Sequence, residues 1–318
     1  MKLLVTGGAG FIGSEFVRSA LTGKYKDFGL DPEALWVVDK LTYAGSRKNL
    51  QEVEMDPRLK FIEGDISDEE LMAHLTLGID LIINFAAESH VDRSIKNPNE
   101  FVKSNIIGVQ NILNVARLNS VKRIIQVSTD EVYGSIEDGN WSELEPLLPN
   151  SPYSASKASA DLLVRASHKT YGLDTVITRC SNNYGAFQHP EKLIPTIILN
   201  LIKGIDIPIY GDGKNVREWI HVSDHARAIA FLVNNGKSGE IYNIGSTNQI
   251  SNIDLAARIM EIFGSSKSKI SYVDDRLGHD FRYSLNFNKI SDLGFVPQMD
   301  FDEGLTRTLM WYRDNSAE

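Results

Sequence analysis

The sequence predicts an α/β protein built on a doubly wound parallel sheet, with a smaller C-terminal α/β region. Three observations lead there. Short apolar runs alternate with helical stretches through residues 1–180, the pattern of a parallel sheet with crossover helices. The first run passes at once into a glycine-spaced loop, and the second ends in an acid. A length of 318 residues, 42% of them hydrophobic, is ample for a large core and a second region. The expected division is 1–180 and 181–318, with 221–245 crossing back to the first part.

Residues 3–6 form the first strand. Gly7, Gly10 and Gly13 follow, three apart, with Phe11 and Ile12 between them at the opening of a helix. Such glycines allow a tight turn and let a pyrophosphate approach backbone N–H groups at a helix N-terminus, as in a Rossmann dinucleotide site. Residues 36–39 read as the second strand, ending in Asp39. An acid there accepts hydrogen bonds from both ribose hydroxyls and repels a 2′-phosphate, which favours NAD over NADP. Residues 59–66 are the third strand and its exit; Asp65 is placed to hydrogen-bond an adenine and Ile66 to pack on it. Residues 81–87 are an apolar run interrupted only by Asn84, as a strand buried on both faces should be, and small Ala86 and Ala87 let a dinucleotide pass close. A loop from Glu88 follows, and its His90 reads as structural rather than catalytic. One long helix is expected over 97–119.

Residues 123–127 read as the fifth strand, delivering Ser128, Thr129, Asp130 and Glu131 to the sheet's ligand edge. The next helix begins near Pro152 and carries Tyr153 and Lys157, four apart on one face. A phenol is a poor base at neutral pH; a neighbouring ammonium, with a positive nicotinamide ring, is expected to favour the phenolate. Lys157 also suits a hydrogen bond to the nicotinamide ribose, and Thr129 or Ser128 to the substrate hydroxyl. Residues 175–178 are the sixth strand. Beyond Cys180 the chain turns polar at 181–185, then reads as helix to 203, strands near 207–210 and 216–220, helix 224–234, a strand at 241–245 able to return to the main sheet, helix 252–263, a polar loop at 275–280 and a closing helix at 301–313.

The formal charge of −9 argues against nucleic acid or an anionic membrane as the main partner. Cys180 is the only cysteine, which leaves no disulfide and no cysteine-based metal site; no metal is expected. A strand from residue 2 leaves no room for a signal peptide, and no apolar run nears the roughly 20 residues of a membrane helix. A soluble cytoplasmic protein is the expectation.

The glycine loop and the Tyr153–Lys157 pair resemble the extended short-chain dehydrogenase/reductase family. The more specific stretches are 39–45, 86–94, 128–134, 153–157, 182–185, 190–195 and 275–283, and together they resemble its nucleotide-sugar 4,6-dehydratases over essentially the whole chain. The adjacent acids Asp130 and Glu131 carry the distinction, since an epimerase of the family has no use for them. The resemblance implies NAD-dependent oxidation at C4 with Tyr153 as base and Lys157 and Thr129 beside it. Elimination of water across C5–C6 follows, with Glu131 as base and Asp130 as acid, and the hydride returns to C6. A dTDP-linked glucose is the implied substrate, with UDP-glucose as the alternative nucleotide. It also implies NAD contacts from Lys40, Leu41, Thr42, Gly45, Phe85, Ser89, Ser104, Ser128 and Asn183. Substrate contacts are implied for Ser89, Asn182, Lys192, Leu193, Pro208, Tyr210, Arg217, Asn252, Asp275, Arg276 and His279, and a homodimer through the helices at 97–119 and 153–171. Ala186 and Leu277 replace prolines of the family pattern in substrate-side loops. Two other readings remain open: a nucleotide-sugar 4-epimerase, and a catalytically silent NAD-binding regulator.

Overall fold

The computed structural model describes residues 1–275 and 278–315. The first part runs β1 (Lys2–Thr6), α1 (Phe11–Leu21), β2 (Ala34–Asp39), β3 (Leu59–Glu63), α2 (Glu69–Leu75), β4 (Leu81–Asn84), α3 (Val91–Lys96), α4 (Pro98–Phe101), α5 (Gly108–Leu118), β5 (Arg123–Thr129), α6 (Pro152–Tyr171) and β6 (Thr175–Cys180). The second runs β7 (Asn182–Tyr184), α7 (Leu193–Lys203), β8 (Ile207–Tyr210), β9 (Val216–His221), α8 (Val222–Asn235), β10 (Ile241–Ile244), β11 (Gln249–Ser251), α9 (Asn252–Phe263), β12 (Ile270–Val273), α10 (Asn288–Asp292) and α11 (Phe301–Asn315).

Seven strands form one parallel sheet in the order β10-β6-β5-β4-β1-β2-β3. Alternate side chains of a strand point to opposite faces, and the apolar strands use both. Leu3, Val5, Ile83 and Ile125 pack on one side with Phe16 of α1 and Ile229 of α8. Leu4, Ile82 and Ile124 pack on the other with Met72 of α2, Ile112 of α5 and Val164 of α6. A third core joins Ile197 of α7, Leu255 of α9 and Leu309 of α11 to Ile207 and Ile209 of β8. This smaller part holds a three-stranded sheet, β11-β9-β7, and the pair β12-β8.

The helix expected over 97–119 runs without interruption from Pro98 to Leu118, but not as a uniform α-helix. Residues Val102–Ile107 form a π-helical stretch between α4 and α5. Its wider turn leaves Asn105 buried, where the amide accepts from the Glu88 N–H at 2.8 Å and donates to the Glu88 carbonyl at 3.0 Å and to Ser156 Oγ at 2.8 Å. β7 stands where a polar turn is expected, and the short elements β11, β12, α2, α3 and α10 have no counterpart in the sequence reading. Each is too short for a clear periodic signal.

Candidate active site

The crevice at the carboxyl ends of β1 to β4 is lined by Gly7, Gly10, Asp39, Lys40, Thr42, Gly45, Asp65, Ile66, Phe85, Ala86, Ala87 and Ser104, all expected. Val38, Ala44, Gly64 and Glu88 also line it, beyond the expected set. Gly7 has φ +67°, and a Cβ there would lie 2.6 Å from the Ala86 nitrogen. A Cβ on Gly13 would lie 2.3 Å from the Gly7 carbonyl oxygen, so this glycine packs the loop against α1 from behind. Asp39 ties the crevice together: one carboxylate oxygen accepts from the Ala9 N–H and the other from the Leu41 N–H, both at 2.9 Å. Burial pushes its pKa up, and these donors oppose that. Lys40 reaches Asp65 at 2.9 Å. Helix α1 has no side-chain cap and no acid in its first turn. Its leading N–H groups therefore suit an anionic ligand such as a dinucleotide pyrophosphate.

The second constellation lies at the end of β5. Thr129 Oγ1 donates to Asp130 Oδ1 at 3.1 Å and accepts from the Glu131 N–H at 3.3 Å. Asp130 is 2% exposed, and its Oδ2 is buried with no hydrogen-bond partner among the described residues. Burial, then the charges of Glu131 and Glu218, push its carboxyl well above the ordinary range, which favours the protonated form. Ser151 and Ser154 form a capping box that starts α6 beside Pro152. Lys157, four residues past Tyr153, donates to the Val127 carbonyl at 2.7 Å and pins α6 to β5. Burial lowers its pKa.

Tyr153 lies in a buried, acidic setting. Burial first, then the charges of Glu131, Cys180 and Asp130, push the phenol well above its ordinary pKa, and only the Thr129 hydroxyl pulls the other way. Within the protein alone Tyr153 is a neutral phenol. One of the three donors of the Lys157 ammonium goes to the Val127 carbonyl and burial lowers its pKa, so the expected phenolate leans also on the positive ring expected beside it.

On the substrate side, Asn182 Oδ1 and Asn252 Oδ1 are buried and unpartnered among the described residues, ready for an outside donor. Lys192 caps α7 and Leu193 opens it. Pro208 and Tyr210 lie on the exposed face of β8, with the Tyr210 ring edge-on to His279 at 6.3 Å. His279 Nδ1 pairs with Asp275 at 2.6 Å. Arg276 lies outside the described residues, as does Leu277. Arg217 was expected to serve a diphosphate; its guanidinium donates to the carbonyls of Val216 at 2.8 Å and Asp280 at 2.8 Å and lies 4.3 Å over the Tyr283 ring. Asn183 is engaged inside the protein, by Ser181 and His225. His90 sits at φ 126°, which few non-glycine residues adopt, and opens α3.

The parallel sheet, glycine loop and Tyr153–Lys157 pair define a short-chain dehydrogenase/reductase of the extended type. A family model described as GDP-mannose 4,6 dehydratase matches residues 4–308. A dTDP-glucose 4,6-dehydratase of Actinoplanes sp. is 50% identical over 321 residues, covering 100% of this chain and 99% of that one. The crystal structure of DesIV, the dTDP-glucose 4,6-dehydratase of Streptomyces venezuelae, with NAD bound, is 53% identical at TM-score 0.97 and covers 100% of this chain and 98% of that one. A Thermus thermophilus UDP-glucose 4-epimerase in complex with NAD is 28% identical at TM-score 0.89, covering 99% and 100%. The chain belongs to the GDP-mannose 4,6-dehydratase family. Dehydratases and epimerases share its fold, so the distinction must come from the site.

Proposed function

We propose that this protein is a dTDP-glucose 4,6-dehydratase that uses NAD and yields dTDP-4-keto-6-deoxyglucose. The observation that carries the reading is Asp130: a buried carboxyl beside Glu131, pushed toward its protonated form by burial and by that neighbour, with one oxygen lacking a partner among the described residues. A dehydratase must give a proton to a leaving hydroxyl, and an epimerase has no such step. The nucleotide follows the relatives at about half identity.

NAD, when bound, supplies a positive ring beside Tyr153, takes the hydride of C4 and returns it at C6. The residues proposed to hold it are the crevice set, together with Phe11, Ile12, Gly13, Leu41, Ser89, Ser128, Tyr153, Lys157 and Asn183. Tyr153 takes the proton of the C4 hydroxyl, with Thr129 sharing that hydroxyl and Lys157 holding α6 in place. The resulting 4-ketone acidifies C5. Glu131 takes the C5 proton, the C6–O bond breaks, and Asp130 gives its proton to the departing oxygen, which leaves as water; as the hydride returns to C6, Glu131 or a water beside it gives a proton back to C5. A proton acid next to an ionised base follows from adjacent carboxyls in a closed site. Ser89, Asn182, Lys192, Leu193, Pro208, Tyr210, Arg217, Asn252, Asp275, Arg276 and His279 are proposed to hold the nucleotide sugar. In this division 1–180 with β10 serve the cofactor and most of 181–318 the substrate.

The proposal includes a cytoplasmic homodimer. Cys180 is free and buried, which suits a reducing compartment. Ile107 and Leu118, on the stretch entering and forming α5, and Leu162 on α6 are exposed apolar residues on the two helices expected to meet a second copy. No helix among the described residues is long and apolar enough to cross a membrane.

The test is isotopic. dTDP-glucose deuterated at C4 should give product with the deuterium on C6 of the same molecule, and heavy water should place one deuteron at C5. Deuterium kept at C4 or returned there with inverted geometry would overturn the dehydratase reading, the latter in favour of an epimerase. Parallel incubation with UDP-glucose, scored by mass for loss of water, tests the nucleobase.

A further inference from the structure

Tyr43 has no part in the chemistry above, yet it joins three separate stretches of chain. It lies between Thr42 and Ala44, which form one wall of the dinucleotide crevice. Its side chain leaves that wall, and its hydroxyl donates to the carbonyl of Ser89. Ser89 directly follows Glu88, which lines the opposite wall. The ring is clamped. The Arg93 guanidinium lies 3.6 Å over it, and the His189 ring meets it edge-on at 5.4 Å. Arg93 is in turn fixed by Glu191, with Nε at 3.1 Å and a terminal nitrogen at 3.0 Å from Oε2. Glu191 immediately precedes Lys192, so the brace comes from the substrate side.

We infer that Tyr43, braced by Arg93 and Glu191, is a strap that retains the cofactor, because its bond to Ser89 closes the gap between the two walls that a dinucleotide must pass to leave. The inference rests on reading this crevice as the NAD site. The chemistry gives the strap a purpose. Electrons removed at C4 must come back at C6 through the same bound cofactor, so departure in mid-cycle would strand the 4-keto sugar. A tyrosine suits this role because its ring offers a face to Arg93 while its hydroxyl reaches the far wall.

Wild-type protein and two variants would be loaded with radiolabelled NAD and chased with unlabelled NAD in the absence of sugar. Tyr43→Phe keeps the ring and the Arg93 stack but removes the O–H. It should release NAD roughly five- to tenfold faster, the effect of one lost hydrogen bond. Arg93→Met removes the brace and should also speed release. Circular dichroism confirms that both variants fold. Release at the wild-type rate in both would overturn the strap while leaving the NAD site standing. Wild-type protein that retains no labelled NAD would overturn the reading of the crevice itself, and the strap with it.

Discussion

Tyr153 is a residue whose surroundings oppose the role it is given. Two carboxyls and a dry site favour the neutral phenol, so the protein does not keep a standing base that could act without its partner. In the proposed mechanism the proton leaves when the positive ring of bound NAD stands beside the phenol. Removing the hydroxyl should therefore stop oxidation without disturbing the fold, since the ring's edge-on contact with Phe101 at 6.2 Å survives. Tyr153→Phe should bind dTDP-glucose with near-normal affinity while turnover drops by about 10² or more, a typical acid–base contribution. Calorimetric titration and steady-state assay separate the two effects, and near-normal turnover would remove Tyr153 from the mechanism. Asp130 is the complement, a carboxyl pushed toward its neutral form by the same burial and by Glu131.

At the scale of elements, Glu218 on β9 is fully buried and accepts the Ser246 N–H at 2.9 Å and the Leu285 N–H at 3.0 Å. It thereby fastens β9 to the chain leaving β10 and to the stretch before α10. Burial raises its pKa from 4.5 to about 7, against the pull of those two N–H donors. A raised carboxyl pKa means that the folded protein holds a proton the unfolded chain gives up. Stability therefore falls as pH rises from 4.5 to 7, by at most about 3 kcal/mol from this group. Glu218→Gln cannot titrate, so melting temperatures from pH 5 to 8 should decline less steeply than in wild type; identical slopes would show that Glu218 does not ionise in that range. No sequence pattern points to this residue. The alternation of strands and helices, the glycine loop, Asp39 and the paired positions 153 and 157 were legible because each has a local signature. The π-helical turn was not, because Asn105 is drawn inward by Glu88 and Ser156, whose positions only the folded sheet decides. Polar residues inside strands were likewise hidden: Asn84 donates to Gln126 at 2.8 Å between β4 and β5, a bond that exists only once the strands are paired. Tyr43 belongs to the stretch 39–45 singled out in the sequence, but its contacts are hidden there for the same reason, its partners lying about 50 and 150 positions away.

For the whole molecule, the exposed apolar residues of α6 and of the stretch entering α5 set an expectation about assembly. Ile107 is 48% and Leu162 56% exposed. Placing a charge in an apolar interface is costly, so Ile107→Asp combined with Leu162→Asp should sediment at half the wild-type mass with melting otherwise retained. Wild-type protein that sediments as a monomer would end the dimer proposal. The order of the central sheet has a consequence for synthesis. Every residue of β6 is buried, and its outer neighbour is β10. Ile244 lies 64 positions after Cys180 in the chain. At ~5–20 residues per second on the ribosome, that gap lasts roughly 3 to 13 s. Throughout it, a nascent chain with six strands of the sheet already made carries an unpaired sheet edge, and that interval is where the growing polypeptide most needs shielding from its neighbours.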